Sequence, residues 1–291
     1  MHRSGTTLIA KILSEFGIFL GAKLSSNLES PFFFRLNEWI MRRAGGAWDY
    51  PVPTKKFLQV SEFRSQAHCV VINALTSRWF AEYTGKKKDW FVNGLSRLNQ
   101  PWGWKDPRNI FTFSIWSNIF SEAKVLYIKR NGIDVANSLL IRTNQSISQN
   151  RPVFSPFRLL GRLKASLRPF GTLNNQYQSG RCTSLEGGFR IWEEYGEEAE
   201  SIYKEYDGEK IMIRYEDFLQ RPKDYLGDIL SFANRALQLK SKKIDDVISI
   251  INQKRAFAFV RDEKLVQFYY SKIHSNLTRK LGYDKIHSDI F

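Results

Sequence analysis

The run KVLYIK at 124–129, followed at once by Arg130-Asn131-Gly132 and a helical pattern from about Ile133 to Ile141, limits the possible folds more than any other stretch. A short β-branched and aromatic run of this kind reads as a buried parallel strand. Strand, polar Gly turn and helix in that order form an arrangement that binds anions on the unpaired N–H groups of the helix start. KIMIRY at 210–215 is a second strand of the same type. Helical patterns at 8–20, 32–43, 110–120, 186–206 and 223–234 alternate with these strands, and 56–83 keeps helical spacing through Val70, Ile72, Leu75 and Trp79. The expected architecture is α/β: three layers, α/β/α, around a mostly parallel central sheet. No internal repeat or low-complexity linker divides the chain, so residues 1–291 are expected to form one domain.

A second anion cradle lies in HRSGTT at 2–7. A polar loop with one glycine runs into a helix whose apolar positions are Leu8, Ile12 and Phe16. A helix start exposes unpaired N–H groups and the positive end of the dipole. Gly5 admits a ligand close to the backbone, Ser4, Thr6 and Thr7 add hydroxyls, and Arg3 adds a planar cationic fork. The triphosphatase pattern GxxxxGK[ST] is absent here, because Thr6 follows Gly5 directly and the cation lies upstream. Small polar residues also serve as plain helix caps, so the loop alone does not decide the chemistry.

Charge narrows the ligand. The 291 residues carry 44 Lys+Arg against 29 Asp+Glu, a formal net charge of +15, which calls for an anionic ligand or surface. From Val135 to Leu185 there is no acid, while Arg142, Arg151, Arg158, Arg162, Lys164, Arg168 and Arg181 fall inside. Leu159, Leu160, Leu163 and Leu167 stripe a short basic helix in that span. The segment at about 142–181 therefore reads as a basic lid or acceptor contact, with peripheral contact to anionic lipid as the other use. Cys69 and Cys182 make neither a disulfide framework nor a metal quartet, and a reducing, cytoplasmic setting is expected. No metal-ligand cluster emerges from His2, His68, His274 and His287. No apolar run reaches the ~18 residues that a bilayer span requires.

Several stretches, taken in order, resemble one family: sulfotransferases that use 3′-phosphoadenosine 5′-phosphosulfate (PAPS). HRSGTT at 2–7 looks like the 5′-phosphosulfate loop. AKVLYIKRNGIDVANS at 123–138 looks like the 3′-phosphate segment, with Arg130 and Ser138 in its two binding positions. KIMIRYEDF at 210–218 looks like the strand whose Tyr, here Tyr215, meets the adenine. Lys105, in the Lys105-Asp106-Pro107 stretch, sits where tyrosylprotein-type enzymes carry a Lys near the sulfate. The likeness covers roughly 2–235 and is nearest to bacterial members; cytosolic steroid and phenol enzymes have Lys where Arg3 stands.

The resemblance implies a P-loop nucleotide-hydrolase-like fold and transfer of a sulfuryl group from PAPS, without a metal, to a hydroxyl. A carbohydrate is the expected acceptor, with a small molecule or a lipid as the other options. Arg3, Ser4, Gly5, Thr6 and Thr7 would hold the 5′ end of the donor, Arg130 and Ser138 the 3′-phosphate, and Tyr215 the base. Arg3 and Lys105 would act on the transferred group. Glu29 would be the general base, ahead of Glu38 and His2. Two other classes compete. A basic nucleic-acid-binding protein would explain the charge but not the ordered motifs. A small-molecule kinase lacks the Gly-Lys-Ser/Thr run. One departure stands out: a phosphate loop of this type follows a buried strand, and HRSGTT does not. The expectation is that a first strand is missing, that the chain as written is poorly stable, and that added upstream residues would rescue it.

Overall fold

The computed structural model describes residues 1–85, 98, 100–149, 179–234 and 241–286. In chain order the main elements are α1 (Thr6–Glu15), α2 (Pro31–Arg43), α3 (Val52–Phe57), α4 (Ser61–Leu75), α5 (Ala81–Thr84), α6 (Asn109–Ile119) and β1 (Val125–Lys129). They continue with α7 (Gly132–Gln149), α8 (Leu185–Glu205), β2 (Lys210–Arg214), α9 (Tyr215–Gln220), α10 (Pro222–Ala233), α11 (Ser241–Ser249), α12 (Glu263–Lys272) and α13 (Asn276–Lys280). The fold is α/β and rich in helix.

Both sequence-derived strands pair with each other. β1 and β2 run parallel, with Val125 opposite Lys210 and Lys129 opposite Arg214. Phe19 and Trp102 form a separate parallel bridge. Ile128 and Ile213 are buried in the sheet, and Ile9, Ile12 and Phe16 of α1 pack with them beside Phe218, Leu226 and Ile229. A second core joins α7, α8 and the C-terminal helices through Leu139, Phe189, Trp192, Tyr195, Phe259 and Tyr269. A third joins α2, α4 and α6 through Phe33, Leu36, Ile40, Val71 and Trp116.

Three boundaries differ from the sequence reading. The first helix stops at Glu15, not near residue 20, because Gly17 takes φ 92 and the Ile18 N–H turns back to the Leu13 carbonyl. The pattern at 56–83 is not one helix: α3 closes at Val60, where the N–H bonds back to Phe57, and Ser77 caps a new turn that leads into α5. Tyr215 begins α9 instead of ending β2, and Glu216 and Asp217 place acidic side chains in that helix's first turn. The segment drawn at 142–181 is divided as well. Residues 142–149 continue α7, while the basic stripe Leu159–Leu167 lies outside the described residues.

A cavity of ≈ 820 Å³ runs beside the sheet. Its lining includes Val125, Leu126, Tyr127 and Ile128 of β1, Pro101–Lys105 beyond the Phe19 bridge, and Ile9, Ala10 and Leu13 of α1. The parallel register and the Val125 N–H bond to Glu209 turn the peptides of Leu126 and Ile128 away from β2. Phe19 bonds to Pro101 and Gly103, which turns the Trp102 peptide away from it in the same manner. Among the described residues, none of these three peptides has a backbone partner on its outward side.

Candidate active site

The HRSGTT loop and the β1–α7 turn meet. Arg3 Nε donates to Ser138 Oγ at 2.7 Å, and Arg130 Nη1 donates to the Arg3 carbonyl at 2.9 Å. Residues 127 to 135 positions apart in sequence thus share one wall of the site. Arg255 joins them, since its carbonyl accepts from Arg130 Nη2 at 3.2 Å. Burial lowers the affinity of Arg3 for its proton, and the neighbouring charges of Arg130 and Arg255 lower it further. Like charges gathered at one wall favour an anion there. Asp134, at 3.5 Å from Arg130, supplies part of the balance but also accepts from the N–H groups of Ala258 and Phe259.

The loop itself is shaped for close approach. Arg3 sits at φ 64 and Gly5 at φ 87, both in the left-handed region. A Cβ at Gly5 would lie 2.1 Å from the Tyr215 ring, so only glycine fits there. No side chain caps α1, which leaves the Thr6 and Thr7 end of the helix without an internal acceptor. The Ser4 hydroxyl is buried with no partner among the described residues. Thr7 Oγ1 donates to the Asn27 carbonyl at 3.4 Å. Tyr215 is a core residue, 1% exposed, with Gly5 against its ring and the Arg130 guanidinium 4.9 Å from the ring centre. Its ring supports the loop from beneath.

Lys105 and Glu29 also come together. Lys105 Nζ donates to Glu29 Oε1 at 3.0 Å, and Arg108 Nη1 stands 4.0 Å from the other carboxylate oxygen. Glu29 is 8% exposed. Burial, and next to it the Asp106 charge, push its carboxyl above the ordinary range, against the pull of Lys105 and Arg108. Glu38 instead pairs with Arg42 one helical turn away. His2 is buried, its Nε2 has no partner among the described residues, and burial with the charges of Arg108 and Arg142 pushes the affinity of the imidazole for a proton well down.

Sequence reasoning missed the residues that hold these groups in place. Asn131 Oδ1 accepts from Ile133 N–H at 2.9 Å and Asp134 N–H at 3.3 Å, capping α7. Its own N–H donates to Glu216 Oε1 at 2.8 Å, and Tyr283 donates to Glu216 Oε2 at 2.9 Å. Trp192 Nε1 donates to the Arg130 carbonyl at 2.9 Å. On the other wall, Asn37 Nδ2 donates to Asp106 Oδ2 at 3.0 Å, and Asp106 Oδ1 accepts from Arg108 at 2.8 Å. Asn131 sits in a strand–turn–helix motif and could have been read as a cap; Glu216 and Asn37 act only through distant partners.

Among the described residues, no group of His, Cys, Asp and Glu is placed to hold a metal. No helix there is long and apolar enough to cross a membrane. A parallel α/β fold with guanidinium groups converging on a glycine loop at a helix start is an arrangement suited to an anionic ligand. A family profile described as "Sulfotransferase family" matches residues 1–238. The chain belongs to the sulfotransferase family and is a transferase. No curated protein and no solved structure matches it.

Proposed function

We propose that the protein transfers a sulfuryl group from PAPS to a hydroxyl-bearing acceptor, with a carbohydrate as the favoured acceptor. The supporting observation is the direct contact between the turns of Arg3 and Arg130, which gives one anion-binding wall two cationic ends. The residues present suit the donor: Gly5 leaves no side chain at the backbone, Ser4 has an unused hydroxyl, and Arg3 stands against the like charges of Arg130 and Arg255, of which Asp134 offsets part. When bound, the donor supplies an activated sulfuryl group. Arg3 and the start of α1 would hold its 5′ end, and Arg130 with Ser138 its 3′-phosphate. Arg3 and Lys105 would neutralise charge as the group leaves; one well-placed donor of this kind is worth about 2.7–4 kcal/mol. Glu29 would take the acceptor's proton, because Lys105 holds it at the same end of the site and its raised carboxyl is better matched to proton transfer.

Calorimetry with adenosine 3′,5′-bisphosphate tests the assignment. Arg130→Ala is expected to weaken binding by about 2–5 kcal/mol, as expected when one member of a buried charged contact is removed. Binding at full strength in that variant would overturn the 3′-phosphate assignment.

A further inference from the structure

Arg142 remains after the donor's requirements are met. It lies four residues beyond Ser138 on α7, one turn along the same face. Its guanidinium is 4.5 Å from the centre of the Trp48 ring, and the edge of His2 meets that ring with centroids 4.8 Å apart. Partial burial makes the Arg142 charge costly, and Arg3 and Arg108 add repulsion. No carboxylate hydrogen-bonds Arg142 among the described residues. Glu29, the carboxylate that acts on Arg142 through space, is committed to Lys105 at 3.0 Å. The unpartnered Nε2 of His2, a side chain 7% exposed, adds a second unused polar atom beside the same aromatic ring.

We propose that Arg142, stacked on Trp48, binds an anionic substituent of the acceptor, so that the natural acceptor is an acidic saccharide and not a neutral one. This rests on the sulfuryl-transfer reading given above. A guanidinium on an aromatic floor keeps its planar fork free for a carboxylate or sulfate. Its place one turn from Ser138, and its stacking on the Trp48 ring that His2 also meets, set it beside the HRSGTT loop. An anion there would offset a partly buried charge that Glu29 balances only through space.

Two arms test this on the full chain. In the first, calorimetry compares uncharged glucose oligomers with uronate and with O-sulfated oligomers of equal length. Tighter binding of an acidic series by about tenfold or more is expected, with the stronger series identifying carboxylate or sulfate as the recognised group. Arg142→Ala should remove that preference and Arg142→Lys restore part of it, while affinity for adenosine 3′,5′-bisphosphate stays at the wild-type value in both. In the second arm, PAPS turnover should show the loss in KM for the acidic oligomer and not in kcat. Equal binding of neutral and acidic oligomers by the wild type would overturn the inference, as would loss of bisphosphate affinity in Arg142→Ala. Acid-selective binding that depends on Arg142, without any turnover, would uphold the anion subsite and refute the sulfuryl-transfer reading instead.

Discussion

At the scale of single residues, Gly5 and Glu29 carry the sharpest consequences. Gly5 holds φ 87 with the Tyr215 ring where a Cβ would go. Gly5→Ala combines a left-handed alanine with an overpacked contact and should cost about 2–5 kcal/mol. Its melting temperature and bisphosphate affinity should both fall. Adding Tyr215→Ala should recover part of the loss, and strict additivity of the two changes would disprove the contact. Glu29 gives a pH signature. A base works only when ionised, and burial beside Asp106 raises the pH at which Glu29 ionises. As pH falls through that raised value, kcat/KM should decline on an acid limb. Glu29→Gln should remove the limb and lower the plateau by about 10²–10⁴-fold; an unchanged pH–rate profile would rule Glu29 out.

At the scale of elements, α7 is the piece on which the site is mounted. Arg130 precedes it, Ser138 and Arg142 lie along it, and Asn131 caps it. The cap is fixed from outside by Glu216, whose buried carboxylate accepts from both Asn131 and Tyr283. Glu216→Ala strands two buried donors and should cost about 2–4 kcal/mol, read as a lower denaturant midpoint at unchanged m. Bisphosphate affinity should drop with it, because Arg130 depends on the same turn. A variant as stable as wild type would show that the cap stands without Glu216. The turn at 130–132 was legible in sequence because strand, polar turn and helix are adjacent. Its support from α9 and Tyr283 was not, since a contact 85 residues away leaves no local periodicity.

At the scale of the whole molecule, the ≈ 820 Å³ cavity sets a limit on stability. The Leu126, Ile128 and Trp102 peptides turn outward without backbone partners among the described residues, and the walls are apolar. An open space beside the sheet forfeits dispersion contacts, and each unpaired peptide group facing it adds up to about 1–3 kcal/mol of cost. A variant with a five- or six-residue β-branched segment placed ahead of Met1 should therefore gain melting temperature by several degrees. The same segment with alternate Asp residues should gain none, because a strand buried on both faces tolerates no charge. Equal melting temperatures for the parent chain and the apolar extension would dismiss the cavity as a strand site.

The sequence by itself determined the two parallel strands, the helices that follow them, and the glycine and arginine of the two polar turns at the helix starts. These depend on propensity, periodicity and turn chemistry, all of which act over a few residues. It failed where packing overrides spacing, as in the break of 56–83 and the transfer of Tyr215 from strand end to helix core. Only the tertiary structure decided that Arg3 meets Ser138 and Arg130, that Lys105 meets Glu29, and that Arg142 rests on Trp48. Those pairings are set by how buried faces of separate elements fit together, and no short window of sequence contains that information.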